Sequence, residues 1–181
     1  PLSPCANADA LERGPEPPPE ALRGRVLELR AKLARSSYLL RAGQAKAALE
    51  LAREAREAAE SVTWPSLSYS AATREGAALR HTAEYEEAER VNTELYLEAA
   101  ADGVWAEAAD AANELVLILG YHRARYDEGA MWARHAQMAA KHAGDPLQLI
   151  EASSLNGLAV IFHKQGKFED AARMHAEALA I

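Results

Sequence analysis

Cysteine is nearly absent from this sequence, since Cys5 is the only one in 181 residues. The chain therefore cannot form an intrachain disulfide or a zinc site of several cysteines, and we expect it in a reducing cytoplasm. Long apolar runs are absent as well. No stretch of 18 apolar residues occurs and no charged-then-apolar leader opens the chain, so we expect no direct membrane contact.

Basic residues are outnumbered by acidic ones, 20 against 27, which leaves a net charge of −7. A general nucleic-acid binder would carry a basic face, so we expect no nucleic-acid partner. Aromatic residues make up only 6%, and β-branched residues never alternate over a long run, which argues against strands. The hydrophobic fraction of 49% is largely alanine, which loses no side-chain entropy in a helix. The composition predicts an all-α protein.

A repeat runs through most of the chain. Four segments superimpose around a short turn: RAGQAKAALELA (41–52), HTAEYEEAERVN (81–92), RARYDEGAMWA (123–133) and KQGKFEDAARMH (164–175). One small residue recurs in them at intervals of 40, 41 and 42 residues, as Ala48, Ala88, Gly129 and Ala171. A period kept over four copies indicates an α-solenoid. We expect these small residues to be buried where two helices cross.

Each copy is predicted to hold two helices around a turn. Gly43 and Gly166 can adopt the left-handed backbone that ends a helix, whereas Ala83 and Ala124 hold that place in the middle copies, where we expect tighter or differently capped turns. The predicted helices are residues 20–41, 44–60, 65–81, 84–100, 104–122, 126–143, 146–164 and 168–181. They form four hairpins, at about 20–60, 65–100, 104–143 and 146–181, after a proline-rich extended leader at 1–19.

The pattern resembles tetratricopeptide repeats over about residues 26–181. The usual period of those repeats is about 34 residues, and the copies here, of roughly 42 residues, are similar to the long variety in kinesin light chains. The resemblance implies a right-handed superhelix of about four helical hairpins with a protein-binding groove.

A narrower resemblance follows from the order of four stretches: CANADALERGPEPPPEALRGRV, ELRAKLARSSYLLRAGQAKAALELA, ATREGAALRHTAEYEEAE and AANELVLILGYHRARYDEGAMWARHA. This order is similar to the C-terminal repeat region of bacterial serine/threonine protein kinases of the myxobacterial type. There the repeats follow a kinase domain and usually a membrane segment, which implies a signalling role within a larger kinase. The chain begins with Pro1 rather than Met, so we expect it to be a piece of a longer protein. It contains no glycine-rich phosphate loop, HRD or DFG motif.

Residues that could carry chemistry do not form a catalytic or metal-binding pattern. No two histidines lie four residues apart, no His-Glu-x-x-His motif occurs, and only His135 and His142 could share a helix face. The serines lack the strained turn of a nucleophile and are explained by capping. We therefore expect no catalytic residue, no metal and no cofactor, and no enzyme activity. Trp64 and Trp105 are expected to pack loops onto neighbouring copies, and Trp132 to pack inside its hairpin.

In stacked helix pairs, the first helix of each pair lines the concave face, where ligands usually bind. The predicted first helices end in Leu40-Arg41, Arg80-His81, Tyr121-His122 and His163-Lys164, so the last residue is basic or imidazole in every copy. Two interpretations stay open. Cations favour helix C-termini by about 0.3–1 kcal/mol each, or the row forms a positive rail for an acidic or phosphorylated peptide. Deeper in the groove we expect a mixed surface that includes Leu33, Arg74, Glu114, Ile118 and Asn156.

The sequence thus predicts a non-catalytic scaffold for protein–protein interaction, whose partner is a protein or peptide held in the groove. The candidate partner-binding residues are Arg41, Arg74, Arg80, His81, Glu114, Tyr121, His122, Asn156, His163 and Lys164. The alternative is a self-association module that oligomerises its parent. The final hairpin looks truncated and its last helix has an apolar face, so we expect further repeats to follow. Pairing of copies of this chain as homodimers through residues 168–181 is expected as a consequence of that truncation and not as the function.

Overall fold

The structure is a computed structural model that describes residues 17–62, 64–144 and 148–181. Eight α-helices occupy these ranges: α1 (Arg23–Arg41), α2 (Ala45–Glu60), α3 (Pro65–His81), α4 (Tyr85–Ala101), α5 (Trp105–Leu115), α6 (Tyr126–Ala143), α7 (Leu149–Lys164) and α8 (Phe168–Ala180). A 3₁₀ turn, Glu20–Leu22, precedes α1, and a π-helix, Val116–His122, continues α5. No strand occurs in the described ranges, which confirms the all-α prediction.

When the π-helix is counted with α5, the helix bounds agree with the predicted ones to within three residues at every end. Residues 17–19 are not helical. Cys5, the rest of the predicted leader and Pro146 lie outside the described residues. None of the helices within the described part of the chain is both long and apolar enough to cross a bilayer.

The helices pack in the order in which they follow one another in the chain. Each helix contacts the next one, so that they form sequence-adjacent pairs. We call α1, α3, α5 and α7 the first helices and the others the second helices. Each first helix also contacts the following first helix, whereas contacts between successive second helices are sparser. The first helices therefore lie next to one another.

The connectors inside the pairs have a common conformation. Each is three residues long, and its middle residue has a positive φ: 76° at Gly43, 63° at Ala83, 56° at Ala124 and 75° at Gly166. The prediction that the alanine turns would be tighter or differently capped is wrong for Ala83, whose turn closes with the same hydrogen-bond span as the glycine turns, and is confirmed for Ala124, whose closing bond spans one residue more. Alanine adopts the left-handed conformation at a cost of about 1–2 kcal/mol, which the packing of the two flanking helices offsets.

The recurring small residues are buried, as predicted. Ala48 and Ala88 are fully buried and Ala171 is 4% exposed. At Gly129, an added Cβ would lie 2.8 Å from the Cα of Gly120, which is closer than two carbon atoms can approach. A glycine is thus required at this crossing of α6 with the π-helix, and the helices approach there more closely than alanine would allow.

The π-helix accounts for the lengthening of the repeat between the second and third pairs. Pro65 and Trp105 begin their helices 40 residues apart, but His81 and His122 end them 41 residues apart. One residue is therefore inserted within the helix, and a π-helix is the usual way to accommodate it. The insertion shifts the closing backbone hydrogen bond, because the Arg125 N–H donates to Leu119 O at 2.8 Å, six residues back, whereas the equivalent bond in the other connectors spans five.

The three tryptophans join helices at different places. Trp64 is buried beneath the guanidinium of Arg30, which lies 4.8 Å from the ring centroid. Trp105 stacks on His142 of α6 with the ring centroids 4.5 Å apart, within its own pair rather than across to a neighbour. Trp132 packs against its own pair and also reaches Tyr96 of the preceding pair, in an edge-on contact at 5.0 Å.

Candidate functional site

The candidate site is the surface formed by the outer faces of the first helices. Thr73 and Arg74 of α3, Asp110 of α5 and Asn156 of α7 reach solvent on this surface. Two residues expected there are in the core instead, because Leu33 is only 5% exposed and Ile118 is fully buried. The residue inserted in the π-helix rotates the exposed face onto Leu117 and Tyr121, which is why spacing alone misplaced Ile118.

Four basic or imidazole side chains gather at one edge of this surface, and we call them the cationic cluster: Arg80, His81, His122 and Lys164. They come from the C-terminal ends of three first helices, α3, α5 (through its π-helix) and α7. Arg80 is largely buried and binds Glu114, with 2.6 Å between Nε and Oε2. Its Nη2 also lies 3.2 Å from Nε2 of His81. The Arg80–Glu114 ion pair thus joins α3 to the helix that follows it among the first helices.

Aromatic contacts hold the other half of the cluster. His122 stacks on Tyr85 with 4.6 Å between the ring centroids, and meets the edge of Tyr121 at 4.8 Å. The ammonium of Lys164 lies 4.3 Å from the centroid of the Tyr121 ring, within the range of a cation–π interaction. Lys164 is therefore placed on the same aromatic group that contacts His122.

Both histidines of the cluster resist protonation. Burial lowers the pKa of His122 most, and the charges of Arg80, His81 and Lys164 lower it further, against a smaller opposite effect of Glu114. The pKa of His81 is lowered by burial and then by Arg80. Their neutral forms therefore predominate at pH 7, because the ordinary pKa of histidine is about 6.5.

Carboxylates occupy the surface beside the cluster. Glu107, Asp110 and Glu114 follow one another at helical spacing on α5. The pKa of Asp110 rises to about 6, chiefly because the surrounding protein displaces water from its carboxylate and also through the neighbouring Glu107 and Glu114, although Arg74 opposes the shift. Burial also raises the pKa of Glu107. The surface is thus divided into a cationic edge and an acidic strip.

The remaining predicted residues do not join the cationic cluster. Arg41, at the end of α1, is exposed and forms no ion pair among the described residues. His163 packs edge-on against Phe168, with the ring centroids 5.3 Å apart. The side-chain oxygen of Asn156 pairs with Nδ1 of His175 on α8 at 2.9 Å. The predicted rail is therefore not uniform, and its basic groups converge around His122.

Sequence reasoning missed two residues of this site. The sequence places Tyr85 within the repeated segment 81–92 and gives no sign that its ring stacks on His122. Asp110 was not singled out, although the spacing of 107, 110 and 114 on a predicted helix places these carboxylates on one face. In the part of the chain that the structure describes, no group of three or more His, Cys, Asp and Glu residues is arranged to hold a metal ion.

Comparison of the chain with protein-family models, with curated proteins and with solved structures finds no match.

Proposed function

We propose that this chain is a non-catalytic protein-interaction module, built as an α-solenoid of four tetratricopeptide-like hairpins wound into a right-handed superhelix. It binds an extended segment of a partner protein across the first helices. The observation that carries this proposal is the side-by-side packing of α1, α3, α5 and α7, each in contact with the following first helix. Such packing supports a continuous concave surface, which is where stacked helical repeats bind their ligands.

The cationic cluster favours an acidic or phosphorylated segment as the ligand. Three first helices contribute to it, so a segment lying across those helices meets Arg80, His122 and Lys164 in turn. The acidic strip on α5 and the net charge of −7 argue against nucleic acid, because a chain of phosphates would be repelled along most of its length. On the resemblance to kinase repeat regions, we further propose that the module serves a larger bacterial serine/threonine protein kinase, on the cytoplasmic side.

The proposed function is tested with a short labelled peptide that contains several glutamates, followed by fluorescence anisotropy. The variant Arg80→Glu/Lys164→Glu is expected to bind the peptide at least about tenfold more weakly than the unsubstituted chain. Added salt should weaken binding of the peptide to the unsubstituted chain, because it screens the charges. The matched control is Arg90→Glu/Arg173→Glu, which makes the same change in net charge on two second helices, where both arginines are exposed. Equal losses in the two double variants would contradict a site on the first helices.

Self-association is the second candidate function, and the exposed apolar side chains of α8 and the residue after it favour it. Phe168 is 58% exposed, Leu179 is 87% exposed and Ile181 is 44% exposed. Sedimentation equilibrium of the unsubstituted chain and of the variant Leu179→Ser/Ile181→Ser separates self-association from partner binding. A dimer that dissociates in the variant would favour self-association through this face, whereas a monomeric parent would favour partner binding.

A further inference from the structure

The side chains of the cationic cluster surround one place on the surface and do not form the row along the first helices that the sequence predicted. His122 is affected electrostatically by Arg80 and His81 of α3 and by Lys164 of α7. Arg41 and His163, the other basic members of the predicted rail, have no part in these interactions. Donors from three helices that surround one spot fit a single compact anionic group better than a line of carboxylates.

The donors of the cluster are already held in position. Glu114 fixes the guanidinium of Arg80, Tyr85 fixes the imidazole of His122 by stacking, and Tyr121 fixes the ammonium of Lys164. A site whose side chains are ordered before binding loses less conformational entropy when the ligand arrives. The contacts that order these side chains leave several of their N–H groups without a partner among the described residues.

The tautomer of His81 follows from its contact with Arg80. A guanidinium has donors and no acceptor, so Nε2 of His81 accepts the hydrogen bond from Nη2 of Arg80 at 3.2 Å. In the neutral ring the proton is then on Nδ1, which is available as a donor. With Arg80 and Lys164 charged and Glu114 ionised, the cluster presents several donors and an excess of one positive charge at pH 7.

The surroundings of the cluster disfavour a ligand that carries negative charge at every position. Glu107, Asp110 and Glu114 form the acidic strip directly along α5, and Glu107 and Glu114 both raise the pKa of Asp110, although loss of water around its carboxylate has the larger effect. A segment with carboxylates at every position, or a nucleic acid, would place like charges against this strip. One isolated anionic group within an otherwise neutral segment avoids that repulsion.

We infer that the cationic cluster is a site for one phosphate monoester, the side chain of a phosphoserine or phosphothreonine in the partner segment. This inference rests on the proposed function and names the chemistry of its ligand. A phosphate monoester carries about 1.5 to 2 negative charges at pH 7 and three strong acceptor oxygens. It therefore matches several convergent donors, where a single carboxylate offers one charge and two oxygens.

The test uses four probes. Three of them are the same short labelled peptide of alanine and glycine with a central phosphoserine, serine or glutamate, so that only this side chain differs, and the fourth is inorganic phosphate as a competitor. The phosphoserine peptide is expected to bind at least about tenfold more tightly than the serine and glutamate peptides, a ratio equivalent to one additional hydrogen bond to a charged group. Inorganic phosphate at millimolar concentration is expected to displace it.

Two substitutions test whether the phosphate binds at the cationic cluster. Lys164→Gln and His122→Gln are each expected to weaken phosphoserine binding about fivefold or more and to leave the serine peptide unaffected. The control for Lys164 is Lys167→Gln, because Lys167 lies three residues further on, above the ring of Phe162, and outside the cluster. Circular dichroism melting curves confirm that each variant is folded.

The pH dependence supplies an independent readout. The groups that face His122 are Arg80 and His81 of α3, Tyr85 of α4, Lys164 of α7, and Tyr121 and Glu114 of its own helix. A bound phosphate adds negative charge to this set and so raises the pKa of both histidines. Affinity for the phosphoserine peptide should therefore increase as the pH falls from about 8 towards 6.5, before the phosphate itself takes up a proton near pH 6, and His122→Gln should reduce that increase.

The outcomes separate this inference from the proposed function. Equal binding of the phosphoserine and serine peptides would overturn the phosphate site. If the peptide with several glutamates then still binds in a manner that depends on Arg80 and Lys164, the interaction module stands without it. An equal loss in Lys164→Gln and Lys167→Gln would show diffuse attraction and would also overturn the site. Failure of every peptide to bind would contradict the proposed function itself.

Discussion

The carboxylate of Asp110 lies among charges of α3 and α5 that do not balance. Arg74 attracts it, but Glu107 and Glu114 flank it on the same helix, and the protein around it removes part of its water. The result is a pKa raised to about 6, so the folded chain prefers the protonated acid over a range in which the unfolded chain is ionised. The ionised carboxylate of Asp110 therefore lowers the stability of the folded chain at neutral pH.

Replacement of this carboxylate tests that conclusion. Asp110→Asn is expected to raise the melting temperature at pH 7, because the parent must keep an ionised carboxylate in a water-poor place and the amide does not. The folded pKa lies above the unfolded value of 3.8, so the parent gains stability as the pH falls through about 6 towards 4, and the advantage of the variant should disappear over that window. Melting curves at several pH values measure it.

The control for Asp110 is Asp127→Asn in the exposed first turn of α6. A carboxylate favours the positive end of a helix by about 0.3–1 kcal/mol, so this variant should lose a little stability at pH 7 instead of gaining it. A gain of similar size in both variants would point to the net charge of the molecule and not to the surroundings of Asp110.

The conformation of the connectors inside the pairs depends both on the residue at the turn and on the packing of the two flanking helices. Gly43 and Gly166 meet the left-handed conformation without steric cost, while Ala83 and Ala124 are held in it by the helices on either side. Backbone hydrogen bonds of one span close the turns at Gly43, Ala83 and Gly166, such as Glu84 N–H to Leu79 O at 3.0 Å, and a bond one residue longer closes the turn at Ala124. The packing of the two helices therefore fixes the geometry of the turn, and the residue at its centre changes only the free energy of adopting the left-handed conformation.

The alanine turns can therefore be improved. Ala83→Gly is expected to raise the free energy of unfolding by up to about 1 kcal/mol, since relief of the left-handed strain exceeds the added entropy of glycine in the unfolded chain. Ala42→Gly is the control, because Ala42 lies in an equivalent connector with a φ of −79° and should gain nothing. Urea denaturation compares the two, and a loss of stability in Ala83→Gly would contradict the assigned turn.

Ion pairs link the first helix pair to the second and the second to the third. Glu75 of α3 is buried and receives Arg56 of α2 at 2.7 Å and Arg53 at 3.5 Å. Further along, Arg125 binds Glu89 of α4 at 2.7 Å. Each of these contacts joins elements that follow one another closely in sequence, so stability is expected to depend on interfaces between neighbours, as it does in stacked helical arrays.

The interface between α2 and α3 offers a test at this scale. Arg53→Gln/Arg56→Gln leaves the carboxylate of Glu75 buried without a counter-ion, and is expected to cost about 3 kcal/mol in the free energy of unfolding. Arg90→Gln is the control, because Arg90 pairs only with exposed Glu87 and Glu94, and such pairs are worth about 0–1 kcal/mol. A loss no larger in the double variant than in the control would mean that water reaches Glu75.

The amino-acid sequence by itself determined the helices and their order. Alanine-rich composition, the recurrence of Ala48, Ala88, Gly129 and Ala171, and the turn residues between helices are local signals, and local signals are enough to set helix bounds and buried small residues. They also placed a basic or imidazole group at the end of each first helix, because position relative to a turn depends on spacing alone.

Which side chains these basic and imidazole groups contact depends on the tertiary structure. The π-helix inserts one residue without any local marker, and it turns Ile118 into the core while Tyr121 reaches Lys164. Arg80 meets Glu114, 34 residues away, and Tyr85 meets His122 only after α4 packs beside α5 and its π-helix. Burial and charge from several helices then set the pKa of each histidine. Such long-range neighbours depend on how helices rotate and cross, and the spacing of residues along one helix does not contain that information.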